Sequence, residues 1–212
     1  MRKVLIINSS ARLEGSNSRA LTKLFEETWA KNYPEDVYTY REVGSTPIPH
    51  ITSEWITAYQ TKPENRTGEN QKPLELSNTL IRELKESDIY AIGVPMYNWS
   101  IPSGLRSYID QVMRINETWK FRSGMPDGDY VGLLENKKLF ILSSRGGNGY
   151  GEGELNAHMN FQTSYLKMIF TVMGVKDIEI ISLNYESDKV YGEGNLFAQA
   201  QRDVHSQIQK LK

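Results

Sequence analysis

The chain has 212 residues with 25 basic and 26 acidic side chains, a net charge of −1, three histidines and no cysteine. So even a balance gives no electrostatic basis for binding nucleic acid or an acidic membrane, and the missing cysteines exclude disulfides, thiol nucleophiles, iron–sulfur clusters and thiolate zinc while fitting a reducing, cytoplasmic setting. His50, His158 and His205 show no ligand-like spacing, the apolar run at the N-terminus is too short for a signal peptide or membrane span, and the length suits one domain over residues 1–212.

Lys3 to Asn8 reads as a first, buried strand. The small, hydroxyl-rich stretch Ser9 to Ser18 follows, and then a helix with Leu21, Leu24, Phe25 and Thr28 inward. Ser16 or Asn17 can cap that helix. The free N–H groups of its first turn, with the hydroxyls of Ser10, Ser16 and Ser18, can also hold a phosphate. Neither a P-loop nor a Gly-x-Gly-x-x-Gly pattern occurs here, so a mononucleotide suits the loop better than a nucleoside triphosphate or a dinucleotide. Val37 to Val43 alternates and reads as a second strand near a sheet edge. Thr52 to Tyr59 reads as a short helix with Trp55 and Tyr59 on one face, and the polar stretch Thr61 to Lys72 as a mobile surface excursion. Pro73 to Ser87 is an amphipathic helix with Leu76, Leu80, Ile81 and Leu84 inward.

Ile89 to Val94 is apolar without alternation, as a strand buried on both faces must be. After Pro95 come Met96-Tyr97-Asn98-Trp99, two aromatics and an amide in a loop at a strand's carboxyl end. A helix capped near Ser100 and started by Pro102 should follow, with Leu105, Ile109, Val112 and Met113 on one face. Trp119 and Phe121 alternate with basic residues ahead of a polar loop over Ser123–Asp129. Lys138 to Ser143 is the fourth strand, ending in the glycine-rich run Ser144-Arg145-Gly146-Gly147-Asn148-Gly149-Tyr150-Gly151, where backbone can come close to a flat ligand. A long helix is expected over Glu154–Met173 with Leu155 and Met159 inward, stopped by Gly174. Ile178 to Leu183 is the fifth strand, and Asn195 to Lys212 a closing helix with Leu196, Ala200, Val204, Ile208 and Leu211 on one face.

Five strands separated by helices imply a doubly wound α/β parallel sheet of order 2-1-3-4-5. The loops after strands 1, 3 and 4 then meet at one sheet end.

The motifs Pro95-Met-Tyr-Asn-Trp-Ser, Ser144-Arg-Gly-Gly and Gly15-Ser-Asn-Ser resemble those of the bacterial FMN-dependent NADH:quinone oxidoreductase and azoreductase family, from Val4 to the last helix. The resemblance implies a flavodoxin-like fold and a homodimer with one FMN per subunit near the interface. Carried over by position, Ser10, Ser16, Asn17 and Ser18 serve the phosphate, while Met96, Tyr97, Asn98, Trp99, Ser144, Arg145, Gly146 and Gly147 flank the isoalloxazine. Trp99 departs from the phenylalanine common at that place, and the Asn-Gly-Tyr-Gly after Gly147 falls where the family varies. The implied reaction is ping-pong transfer of two electrons from NADH, or NADPH, through FMN to a quinone or an azo compound. Because flavin carries the hard chemistry, no catalytic side chain is assigned. Two other readings are a flavodoxin-type electron carrier, which would share the fold and FMN but against which the near-neutral charge speaks, and, in a different class, a non-enzymatic regulatory protein that senses flavin or nucleotide without NADH turnover. An aromatic surplus (Trp55, Tyr59, Trp119, Phe121) is expected to lend a flat cover to the partner subunit's site.

Overall fold

The structure, a computed structural model, describes residues 1–122, 129–184 and 193–211, with backbone only for 193–196. In chain order it comprises β1 (Lys3–Asn8), α1 (Asn17–Asn32), β2 (Val37–Glu42), α2 (Ser53–Gln60), α3 (Gly68–Gln71), α4 (Glu75–Glu86), β3 (Ile89–Pro95), α5 (Ser103–Val112), β4 (Trp119–Phe121) and β5 (Tyr130–Gly132). Then follow β6 (Lys138–Arg145), α6 (Thr163–Val172), β7 (Asp177–Asn184) and α7 (Glu193–Gln209). The main sheet runs β2-β1-β3-β6-β7, all parallel, which is the expected order with β6 and β7 as its fourth and fifth strands. This strand order, 2-1-3-4-5, is the flavodoxin-like arrangement.

Strand alternation divides the core. Leu5, Ile7, Tyr90, Ile92, Leu139 and Ile141 point to one face and meet α4, α5 and α6 there. Val4, Ile6, Ala91, Phe140 and Leu142 point to the other and meet α1 and α7. All seven residues of β3 and all eight of β6 are buried, as strands covered on both faces require. The end strands β2 and β7 carry several exposed or half-exposed positions. Among the described residues, no helix is long and apolar enough to cross a membrane.

Several sequence expectations need correction. The helix expected from Glu154 begins only at Thr163, and Leu155 is 87% exposed rather than inward. Residues before it form turns instead, including a short 3-10 helix at Ala157–Met159. Helix α5 is capped by Pro102 without a side-chain bond, not by Ser100. The polar excursion is folded into α3 and two 3-10 turns, Pro63–Asn65 and Lys72–Leu74. Arg66 fixes it by donating to the carbonyls of Ala58, Tyr59 and Thr61. Trp119–Phe121 pairs with Tyr130–Gly132 in a two-stranded antiparallel ribbon that the sequence did not announce. The polar loop read over Ser123–Asp129 lies, save Asp129, outside the described residues, as do Lys212 and the Leu196 side chain.

Candidate active site

The sheet reverses its winding between β1 and β3, which are hydrogen-bonded neighbours whose following helices lie on opposite faces. Parallel strands send the loops after β1, β3 and β6 to the same end, and a cleft of about 660 Å³ opens among them. That place in an open α/β sheet is where ligands bind.

The loop after β1 forms one end of the cleft. Ser16 is the N-cap of α1, its Oγ accepting the Arg19 N–H at 3.4 Å and lying 3.2 Å from Ser18 Oγ. The N–H groups of Asn17 and Ser18, in the first turn, have no intrahelical acceptor. Arg19 braces the loop by donating to the carbonyls of Ser10 at 2.8 Å and Arg12 at 2.9 Å. Its guanidinium also makes two bonds to Glu42, of 2.7 and 2.8 Å. Glu42 accepts in addition from the backbone N–H of Gly44 and Ser45. Burial would raise the Glu42 carboxyl, but these bonds from Arg19, Ser45 and Gly44 outweigh it and hold its pKa below the ordinary value. Helix α1 reaches β3 closely because residue 93 is glycine: a Cβ there would stand 2.6 Å from Thr22 Cγ2 and 2.9 Å from the Ser18 carbonyl.

The loop after β3 turns sharply. Tyr97 and Ser100 exchange both backbone hydrogen bonds, at 2.9 and 3.0 Å, and the two residues between them are left-handed, Asn98 at φ 48° and Trp99 at φ 64°. That is the geometry of a two-residue reverse turn in which both central residues need positive φ. Trp99 is 49% exposed, and its carbonyl accepts the Phe161 N–H at 3.1 Å. A second hollow, of about 640 Å³, lies beyond the turn and shares Tyr97 with the cleft. Asn98, Phe161 and Tyr165 border it.

The third wall is the end of β6. The strand runs two residues longer than expected, so Ser144 and Arg145 are its last residues rather than loop. Arg145 is buried and donates to Gln162 Oε1 at 2.9 Å and Thr163 Oγ1 at 3.0 Å. The fully buried Gln162 donates in turn to the Val94 carbonyl at 2.9 Å. Burial lowers the Arg145 pKa.

Of the residues anticipated from the sequence, the cleft brings together Ser10, Ser16, Asn17, Met96, Tyr97, Ser144, Arg145 and Gly146. Ser18 is buried behind Ser16, Asn98 borders the second hollow, and neither Trp99 nor Gly147 lines the cleft. Arg12, Gly15 and Pro95 line it unanticipated. Arg12 is the consequential omission, since it is the arginine that lines the cleft beside Ser16 and stands two residues after Ser10. Trp55 and Tyr59 are not at the cleft. Trp55 is buried in a local cluster with Ala58 and Leu74, with Tyr59 packed against it, and its Nε1 donates to Gln111 Oε1 at 2.9 Å. They fill core, the commoner fate of aromatics.

One end of the cleft thus offers hydroxyls, free amides and an arginine, as a phosphate requires. The other offers a half-exposed tyrosine and Gly146, where a Cβ would meet no protein atom within 4 Å, as a flat ring lying close to backbone requires. Comparison with known proteins agrees. The family model described as "Flavodoxin-like fold" matches residues 2–208. The FMN-dependent NADH:quinone oxidoreductase of Nostoc punctiforme is 37% identical over 209 residues, covering 99% of this chain and 97% of that protein. The FMN-dependent NAD(P)H:quinone oxidoreductase 1 of Pseudomonas aeruginosa is 35% identical, with 88% of each covered. In fold, the chain superposes on an FMN-dependent NADH-azoreductase of Bacillus anthracis solved with FMN, at a TM-score of 0.87 and 24% identity over 100% of this chain and 99% of that one. With a matching family model over nearly its whole length and relatives of 35% and 37% identity, this chain belongs to the flavodoxin-like family of FMN-dependent NADH:quinone oxidoreductases.

Proposed function

We propose that this chain is an FMN-dependent oxidoreductase that takes two electrons from NADH, or from NADPH, and delivers them to a quinone or an azo compound. The observation that carries this is the cleft at the β1/β3 switch point, phosphate-shaped at one end and ring-shaped at the other, in a chain 37% identical to an FMN-dependent NADH:quinone oxidoreductase. FMN, when bound, supplies the hydride acceptance and return. The protein's part is to bind, orient and shield. Ser10, Ser16, Arg12 and the N–H groups of Asn17 and Ser18 would hold the phosphate, with Ser18 supporting Ser16 from behind. Met96, Tyr97, Ser144, Arg145 and Gly146 would border the ring, while Asn98, Trp99 and Gly147 shape the approach to it. The cleft is open, so water must be excluded by something added to it.

A homodimer answers that need. On the β4–β5 ribbon, Trp119, Phe121 and Tyr130 form an aromatic triad with ring centroids 5.1 to 5.8 Å apart, and Phe121 and Tyr130 are 53% and 52% exposed. Large aromatics this exposed suit an interface. We place the enzyme in the cytoplasm as a single FMN-binding domain over residues 1–212 that needs neither membrane nor nucleic acid. The test is direct. The purified protein should be yellow, release FMN and not FAD on denaturation as read by mass, and oxidise NADH when a quinone is added. Recovered FAD, or no turnover with any quinone or azo dye, would refute it. Phe121→Ala should impair quinone reduction more than FMN affinity, and full activity in a monomeric sample would rule out the shared site.

A further inference from the structure

Only two arginines among the described residues are buried, and they are held differently. Arg114, 2% exposed, is within 3.9 Å of the Glu117 carboxylate. Arg145, 6% exposed, has no carboxylate at ion-pair distance among the described residues. Its hydrogen-bond partners, Gln162 and Thr163, are both neutral. The Tyr150 ring centroid lies 5.5 Å from the guanidinium carbon, and Glu154, an acid whose charge acts on it from beyond ion-pair distance, is engaged by the Gly151 N–H. Gln162 and Thr163 are also the N-cap and first residue of α6, so the positive end of that helix faces the same guanidinium. Two like charges therefore meet beside the cleft with no fixed anion between them. Burying a cation in that way is costly unless something else supplies the negative charge.

We propose that Arg145 is a standing positive charge that favours the reduced, anionic form of bound FMN over the oxidised form, and that Gln162 is the neutral side chain that positions it. This rests on the function proposed above. Hydride from the nicotinamide carries two electrons and one proton, so a ring that takes it up without a second proton gains one negative charge. A carboxylate opposite Arg145 would cancel the field that this new charge feels, whereas an amide and a hydroxyl orient the guanidinium and leave its charge intact. Gln162 is suited to this because its two ends are tied to different strands, Oε1 to Arg145 at the end of β6 and Nε2 to Val94 at the end of β3. The cation is thereby fixed to the rigid floor of the cleft and not to a loop.

The test compares affinities for the two redox forms, which a merely structural role would weaken alike. Wild type, Arg145→Met, Arg145→Lys and Gln162→Glu are loaded with FMN. The dissociation constant of oxidised FMN is measured by fluorescence, and the two-electron midpoint potential by equilibration with a reference dye. Arg145→Met should shift the preference away from reduced FMN by about tenfold or more, a potential lower by about 30 mV. Arg145→Lys keeps the charge and should stay closer to wild type. Gln162→Glu puts the missing carboxylate beside the cation and should lower the potential too, so it carries the test if Arg145→Met does not fold. A preference unchanged to within about twofold in the charge-cancelling variants overturns the proposal, as does a lysine variant that falls as far as methionine. Wild type that binds no FMN would overturn the proposed function along with it, whereas bound FMN with unmoved variants overturns this inference alone.

Discussion

Residue 99 offers a sign test, because its backbone reverses the usual ranking of alanine over glycine. Trp99 sits at φ 64° and is 49% exposed. Truncating it removes the buried half of an indole, about 100 Å². At about 25 cal/mol per Å² that is at most about 2.5 kcal/mol, equally in Trp99→Ala and Trp99→Gly. The variants part company at the backbone. Alanine retains the left-handed strain of about 1–2 kcal/mol, which glycine escapes. Glycine in turn loses about 0.5–1 kcal/mol through its freer unfolded chain. The balance makes Trp99→Gly the more stable of the two by about 0.5–1 kcal/mol, about 2 °C in melting temperature for a chain of this size. Thermal unfolding of both variants without added cofactor, so that ligand linkage does not mask the difference, is the assay. An alanine variant as stable as the glycine one would mean that the turn does not hold residue 99 left-handed, and the reasoning would fail. Both should lose turnover, since both remove the ring that the left-handed backbone at residue 99 holds beside the approach to the cleft.

One further outcome concerns the phosphate end and another the acid limb of stability. Ser16→Ala should weaken FMN by no more than about tenfold, since one neutral hydrogen bond contributes about 0.5–1.5 kcal/mol and backbone amides remain, and should cost about 1 kcal/mol of stability as a lost cap; a thousandfold loss by titration would expose a role beyond these. The Glu42 and Asp36 carboxyls are both held below their ordinary pKa by hydrogen bonds and arginine neighbours that outweigh burial. Their stabilisation is therefore complete above about pH 4.5 and is lost as pH falls through the lower folded values. Glu42→Gln should flatten the acid limb of a melting-temperature profile, and a profile as steep as wild type would contradict the assignment.

The sheet was legible because burial on both faces leaves unbroken apolar runs, as in Ile89–Val94, and because such runs were separated by helical spacing. The cleft followed from topology, since the strand order alone brings three loops together. What escaped was non-periodic. Leu155 and Met159 fall at a helical interval by coincidence, and the chain there is occupied instead in turns whose bonds run to loop carbonyls, as from Asn156 to Asn148 and from Asn160 to Tyr150. Strands β4 and β5 have three residues each, too few to display a period. Ser144 and Arg145 read as loop because polar residues seldom close a buried strand, yet Ser144 pairs with both Pro95 and Leu183. Gln162 could not have been singled out, for its two partners lie 17 and 68 residues away in the chain.

The bare contact at Gly93 has a metrical consequence. With no side chain on residue 93 itself, Thr22 and the Ser18 carbonyl at the start of α1 come directly against β3, and the same strand ends two residues later in Pro95, where the tyrosine-bearing turn begins. Anchor and platform are thus gauged from one strand. The span between them works as a ruler for the linker of any occupant, and a molecule whose phosphate and ring are joined by a shorter or longer tether would reach one mark and miss the other. A substituent at residue 93 would recalibrate that ruler without touching the occupant at all.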